Sequence, residues 1–194
     1  MTDELQCTYC ERFSDEEDHV PPRTLFPKPR PANLVEVPSC SECNRLASTD
    51  DEYFRTFVGL RSDVEDTVEG RNLMPAIERS AKRGRGPILS VLESARSVER
   101  RSRAGIILSP GVAFDCDLNR LDKVVERTVA GLYLDHYGER LYPTHIVRSF
   151  CLDGLRNLSS ATRANVEKSV AEVLKRRPTE IGGNVFSILA HALW

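Results

Sequence analysis

Cys7-Thr8-Tyr9-Cys10, Asp18-His19-Val20-Pro21-Pro22, Asn33-Leu34-Val35-Glu36-Val37-Pro38 and Cys40-Ser41-Glu42-Cys43-Asn44 follow one another near the start of the chain, and their order decides how it is read. Each Cys-x-x-Cys turn presents two sulfurs from one tight loop, so two such turns can close a tetrahedral cage around zinc. The turns are separated by 29 residues, longer than the loop of a minimal zinc ribbon, so the metal would pin the ends of a sizeable loop together. Four buried or redox-active cysteines are the alternative, and they explain the paired spacing less well. A cage of four thiolates leaves no open position for water, so this zinc is structural.

The histidine inside that loop is not needed for the cage. His19 follows a carboxylate, Asp18, and Asn33 and Asn44 would converge on the pair if the two turns close. A hard cation such as magnesium takes oxygen ligands and keeps several waters, so Asp18 and one amide oxygen could hold it beside a phosphate. A neutral imidazole nearby can take a proton from an attacking water.

Taken in order, Cys7-x-x-Cys10, Asp18-His19, Asn33-Leu34 and Cys40-x-x-Cys43-Asn44 resemble the HNH endonucleases of the ββα-metal fold, in the version with two zinc knuckles. The run Asp18-His19-Val20-Pro21-Pro22-Arg23-Thr24-Leu25-Phe26 is similar to a bacterial branch of that family. The likeness covers about residues 5–57, under a third of the chain. It implies an endonuclease that hydrolyses phosphodiester bonds, with DNA favoured over RNA as substrate. His19 would be the general base, Asn33 would orient its imidazole, and Asp18 and Asn44 would ligate a catalytic magnesium or manganese ion. Cys7, Cys10, Cys40 and Cys43 would hold structural zinc. Many members carry histidine where this chain has Asn44; an amide oxygen there favours a hard ion. The resemblance also implies that His19 ends a first strand, that Val35-Glu36-Val37 belongs to a second, and that a helix begins around Ser41. Arg23 and Arg45 would reach phosphates, or are ordinary surface arginines.

Outward from this stretch the chain is less specific. It has 194 residues, 40% hydrophobic and 29% charged, which suits one globular domain or a small module fused to a larger one. The net charge of -2 carries no general sign of nucleic-acid binding, but its distribution is uneven. Residues 1–60 hold 6 Lys/Arg against 12 Asp/Glu, whereas residues 79–103 hold 8 against 2. The acidic excess of the first region means that basic residues elsewhere must compensate if a duplex is to be bound. No apolar run at the start resembles a signal peptide and none is long enough to span a bilayer, so a cytoplasmic protein with no membrane partner is expected. A reducing compartment in turn favours metal ligation over disulfides. Cys116 and Cys151 read as small apolar residues, and His136, His145 and His191 as ordinary surface or core histidines.

Six of the eleven prolines fall between Pro21 and Pro38, which rules out long helices there. A core that small is seldom stable without a staple. Thr49-Asp50-Asp51-Glu52 reads as a helix start, followed by Phe54, Phe57, Val58, Val64 and Val68 at helical spacing, with Gly70 as the stop. Pro75 and Pro87 read as openings of two further helices. The second carries Ile88, Val91, Leu92, Ala95 and Val98 on one face and Arg96, Arg100, Arg101 and Arg103 on the other. Such a basic face either tracks a nucleic-acid backbone or is simply solvated. Residues 105–114 read as strand, or as two strands around the Pro110-Gly111 turn signal, and the spacing of Leu118, Leu121, Val125, Val129 and Leu132 predicts a helix ending near Gly138. A last helix is expected over 159–176, and the apolar tail Val185–Trp194 reads as a strand or short helix.

The expected architecture is therefore α+β: a zinc-stapled ββα-metal module over residues 1–60, then a mainly helical region over 61–194 with one or two short strands. The second region is left for substrate recognition, homodimerisation or response to a regulatory partner. A non-catalytic zinc module that binds nucleic acid or protein remains the competing interpretation.

Overall fold

The computed structural model describes residues 5–61, 64, 67–83, 86–102, 104–141, 144, 145, 147, 159–174, 179–181 and 186–188. Among these the protein is α+β. Strands β1 (Glu16–Val20) and β2 (Val35–Ser39) flank a short 3-10 turn (Arg23–Leu25), and helix α1 (Ser41–Gly59) follows. Then come α2 (Val68–Lys82), α3 (Ile88–Glu93), β3 (Arg96–Val98), β4 (Gly111–Ala113), α4 (Leu118–Tyr137), α5 (Ser160–Leu174), β5 (Thr179–Ile181) and β6 (Phe186–Ile188). The strands pair antiparallel as β1-β2, β3-β4 and β5-β6. No described helix is long and apolar enough to cross a membrane.

The chain divides into two compact units, residues 1–44 with 125–194, and residues 45–124. In the first, β1 and β2 are in register from Glu16↔Ser39 to Val20↔Val35, so Asp18 faces Val37 and His19 faces Glu36 across the pair. Alternation sends Asp18 and Val20 to the buried side and leaves His19 half-buried on the other. Val20, Val37, Leu25, Phe26, Cys7 and Cys40 are buried. Gly131 of α4 lies against Val20 so closely that a Cβ there would stand 2.6 Å from a Val20 methyl, which a side chain could not tolerate without displacement. The first turn of α1 is fixed by Asp15, whose carboxylate accepts the Ser41 N–H at 2.6 Å. That bond satisfies one of the N–H groups every helix start leaves unpaired. It also holds the Asp15 carboxyl below the usual carboxylate range.

The second unit buries Tyr53, Thr56, Leu73, Ile77, Ile88, Val91 and Val124. Ile77 is 2% exposed, and its Cδ1 lies over Gly59, 2.4 Å from where a Cβ would stand. Ile77→Ala should lower stability by about 3 kcal/mol through lost burial and the cavity left behind. Urea unfolding followed by circular dichroism measures this, and a change under about 1 kcal/mol would contradict the packing described. Phe57 and Phe114 meet edge to face, and Arg120 lies over the Tyr53 ring while bonding Asp50 at 2.6 Å.

Several sequence expectations are corrected here. Residues Thr49–Glu52 are in mid-helix, because α1 starts at Ser41 and stops at Gly59, short of Gly70. The polar residues that suggested a cap are used otherwise: the Thr49 hydroxyl donates back to the Leu46 carbonyl, and Asp50 receives Arg120. Pro75 lies inside α2, whose start is capped by Thr67 accepting the Gly70 N–H. The helix opened by Pro87 ends at Glu93, so Ala95 and Val98 do not continue it and the arginines after it form no helix face. Arg96 is the first residue of β3. The hydroxyl of Ser94 explains the stop, since it donates to the Val91 carbonyl and accepts the Asp115 N–H. Among the described residues after 60 there are four short strands, above the one or two expected. β2 extends past the expected Val35-Glu36-Val37 through Pro38 to Ser39. Helices α4 and α5 lie where periodicity put them. Cys151, His191 and Arg103 lie outside the described residues.

Candidate metal centre and adjoining histidine

The two Cys-x-x-Cys turns close on each other. The sulfurs of Cys7, Cys10, Cys40 and Cys43 all lie within 4.8 Å of one another, and those of Cys10 and Cys40 are 3.7 Å apart. Zinc–sulfur bonds of about 2.3 Å at tetrahedral angles require sulfurs about 3.8 Å apart, so the cluster fits a zinc ion nearly as it stands. None of the four is in a disulfide. Backbone N–H groups point at the sulfurs: Cys7 Sγ receives Tyr9 at 3.5 Å and Cys40 at 3.3 Å, and Cys40 Sγ receives Cys43 at 3.5 Å. Such donors favour thiolate over thiol. The Cys43 N–H accordingly holds the Cys40 thiol below its ordinary value, whereas burial pushes Cys43 well above. Four sulfurs this close cannot all ionise without a cation among them, and a divalent metal supplies that charge as the protons leave.

The cage is braced from several sides. Thr8 bonds the Pro38 carbonyl through both its N–H (2.9 Å) and its hydroxyl (2.7 Å), joining the first turn to β2. Arg12 pairs with Glu42 beside the second turn. Arg140, just after α4, donates to the Cys10 carbonyl at 2.8 Å.

Asp18 and His19 part company on β1. The His19 Nε2 lies 3.1 Å from a Glu36 carboxylate oxygen. Asp18 turns inward, where its Oδ2 accepts the Tyr9 hydroxyl at 2.7 Å and faces the Arg127 guanidinium at 3.4 Å. The Asp18 and Arg127 side chains are 9% and 11% exposed, so this ion pair is buried. Burial, then the Asp18 charge, push the Tyr9 hydroxyl far above its usual range, and it remains a proton donor. Removing one member of a buried pair strands the other charge. Asp18→Ala or Arg127→Ala should therefore each cost about 3–5 kcal/mol, and the two combined distinctly less than their sum. A double-mutant cycle by urea unfolding tests this; additive losses would show that the two side chains are not coupled.

Asn44, in the first turn of α1, donates its amide to a Glu16 carboxylate oxygen at 2.8 Å and to the Glu17 carbonyl at 3.2 Å. The hard oxygens of Asp18 and Asn44 suit magnesium chemically. As placed, Asp18 bonds Tyr9 and Arg127 whereas the Asn44 amide bonds Glu16 and Glu17, and no step is derived through a second metal. Asn33 lies in the segment before β2. Arg23 is exposed in the 3-10 turn and Arg45 is exposed on α1. Arg96 pairs with Asp115 and Arg101 with Glu99, both at the surface. Three residues of this region were not anticipated. Glu36 was discoverable from strand register, since it alternates with Val35 and Val37. Tyr9 and Arg127 left no local signal. No protein family, curated protein or solved structure matches the chain.

Proposed function

We propose that the first unit is an HNH-type hydrolase of phosphodiester bonds in nucleic acid, with DNA favoured over RNA. Its two strands and the first turn of α1 would correspond to the ββα-metal arrangement. The observation that carries this reading is the setting of His19. It stands one residue from the end of β1, in a hairpin stapled by four clustered cysteines and followed directly by a helix, with a carboxylate 3.1 Å from its Nε2. Glu36 accepts a hydrogen bond from protonated Nε2, which leaves the Nδ1 lone pair to receive a proton from water. The imidazolium so formed is stabilised by the same carboxylate and gives its proton to solvent, while water protonates the leaving oxygen on the opposite side of phosphorus. Cys7, Cys10, Cys40 and Cys43 would hold zinc, which supplies a fixed junction between the hairpin and α1. The reading includes dependence on added magnesium or manganese, whose charge would offset that of the scissile phosphate. Incubating zinc-loaded protein with end-labelled DNA and RNA of one sequence, with either ion or with chelator, tests it. Divalent-dependent fragments are expected, and DNA cut faster than RNA; intact strands throughout would overturn it.

The second reading, a non-catalytic zinc module that binds nucleic acid or protein, is favoured by one observation. Asp18 is committed to Tyr9 and Arg127 as a buried structural carboxylate. It predicts no cleavage with any ion and no effect of His19→Ala beyond stability.

A further inference from the structure

Between α3 and α4 the chain leaves the second unit as a hairpin arm. The pairing of Arg96–Val98 with Gly111–Ala113 continues outward through the Leu108 N–H to the Arg100 carbonyl (2.8 Å) and a bridge between Arg101 and Ile107. The Ser102 N–H then bonds the Ile106 carbonyl at 2.8 Å, and the turn closes at Gly105, whose φ of 80° suits glycine. At roughly 3.3 Å per residue, the tip stands up to roughly 20 Å beyond β3 and β4. Of the described residues from 99 to 112, Ser102 and Gly111 alone are partly covered; the others are exposed.

The side chains on this arm are unusual for a bare surface. Ile106 is 64% exposed, Ile107 60% and Val112 71%, and Leu108 is exposed beside them. Consecutive exposed apolar residues mark an interaction site, and a lone two-stranded hairpin is only marginally stable in water. Among its described residues the same arm carries Arg96, Arg100 and Arg101 against a single acid, Glu99. Gly111 lets the Arg100 stem lie flat across the other strand, 2.6 Å from where a Cβ would be. The ion pairs of Arg96 and Arg101 are exposed, hold little energy, and exchange readily for phosphates.

We infer that residues 96–113 are a nucleic-acid-binding arm: a β-ribbon that lies along a DNA duplex, its arginines on the phosphates and Ile106 and Ile107 wedged against base steps in the minor groove. Charge decides the occupant. A second copy docked ribbon to ribbon would bring three described arginines against three. A lipid surface would have to receive unpaired backbone N–H and C=O groups along both ribbon edges, which hydrocarbon cannot solvate. The minor groove is wet and polyanionic, and basic arms with apolar wedges enter it by prying base steps apart and opening it. The arm would give the proposed hydrolase its hold on duplex substrate, and in that role it rests on that reading; the binding itself is measured without cleavage.

The test uses full-length, zinc-loaded protein carrying His19→Ala, so that the substrate survives, and a fluorescein-labelled DNA duplex read by anisotropy over a salt series. Arg100→Gln with Arg101→Gln should weaken binding at least about tenfold and lower the salt slope by about 1 per arginine. Ile106→Ser with Ile107→Ser should weaken it about tenfold with the slope unchanged. These side chains are exposed, so unfolding curves should match the parent; if one double variant fails to fold, the other decides. No binding by the parent, or unchanged affinity in the variants, overturns the inference. So does a serine variant that turns a dimer into a monomer, or loses adhesion to anionic phosphatidylserine vesicles, while DNA binding stays intact. If the arm binds as described and wild-type protein cuts nothing, the hydrolase reading fails and the arm stands. If wild type cuts and the arm variants bind equally well, the arm fails and the hydrolase reading stands.

Discussion

Cys7→Ser leaves the protein without stoichiometric metal and with its first unit unfolded. Cys7 is wholly buried and its sulfur receives two backbone N–H groups, so it is the hub of the cluster as well as a ligand. A serine oxygen is harder, shorter and protonated at neutral pH, and three thiolates hold zinc far less tightly than four. Structural zinc sites bind with apparent free energies of about 10–16 kcal/mol, comparable to the whole net stability of a domain. Losing much of that exceeds the margin of a segment whose buried residues are few and whose prolines exclude long helices. Metal analysis by plasma mass spectrometry and urea unfolding measure both effects. Cys116→Ser is the control, because Cys116 lies in the second unit and outside the cluster. Full zinc content and an unchanged transition in Cys7→Ser would mean that the four sulfurs are neighbours and nothing more.

If the first unit is the proposed hydrolase, His19→Ala should all but abolish strand cleavage while leaving zinc content and unfolding near those of the parent. His19 is about a fifth exposed and meets an exposed carboxylate, so truncation removes little packing. The rate should fall about 10²–10⁴-fold, the usual contribution of a positioned acid–base group. Glu36→Gln separates catalysis from orientation. Glu36 is half exposed, which screens its charge, and glutamine still offers an oxygen to Nε2. Its loss should stay within about tenfold and fall on kcat rather than KM. A Glu36→Gln defect as deep as that of His19→Ala would move the general base to the carboxylate.

The stapled start of the chain was legible because its signals are local and chemical. Two Cys-x-x-Cys turns state a four-sulfur cluster by spacing alone, and Val35-Glu36-Val37 states a strand by alternation. The fate of Asp18 was not legible: Arg127 is 109 positions away in sequence and reaches it only once the hairpin packs on α4. Adjacent residues on a strand point to opposite sides, so Asp18 and His19 could not both follow one face, and the motif conceals that. Helix boundaries failed where side chains of one chemistry serve two purposes. Thr49 and Asp50 look like a cap but are spent on the Leu46 carbonyl and on Arg120. Ser94 ends α3 with a bond to Asp115, 21 residues on, so the arginines beyond it became an arm and not a helix face.

The central claim is that this chain cuts phosphodiester bonds with His19 in a zinc-stapled hairpin. Its most direct test is one gel: supercoiled plasmid and a structured RNA, each treated with wild type or His19→Ala of confirmed zinc content, with magnesium, manganese or chelator. The account predicts nicked or linear plasmid from wild type with a divalent ion, and none from the variant or under chelation. Plasmid and RNA left intact by zinc-loaded wild type in every lane, or cut equally by the variant, would contradict it.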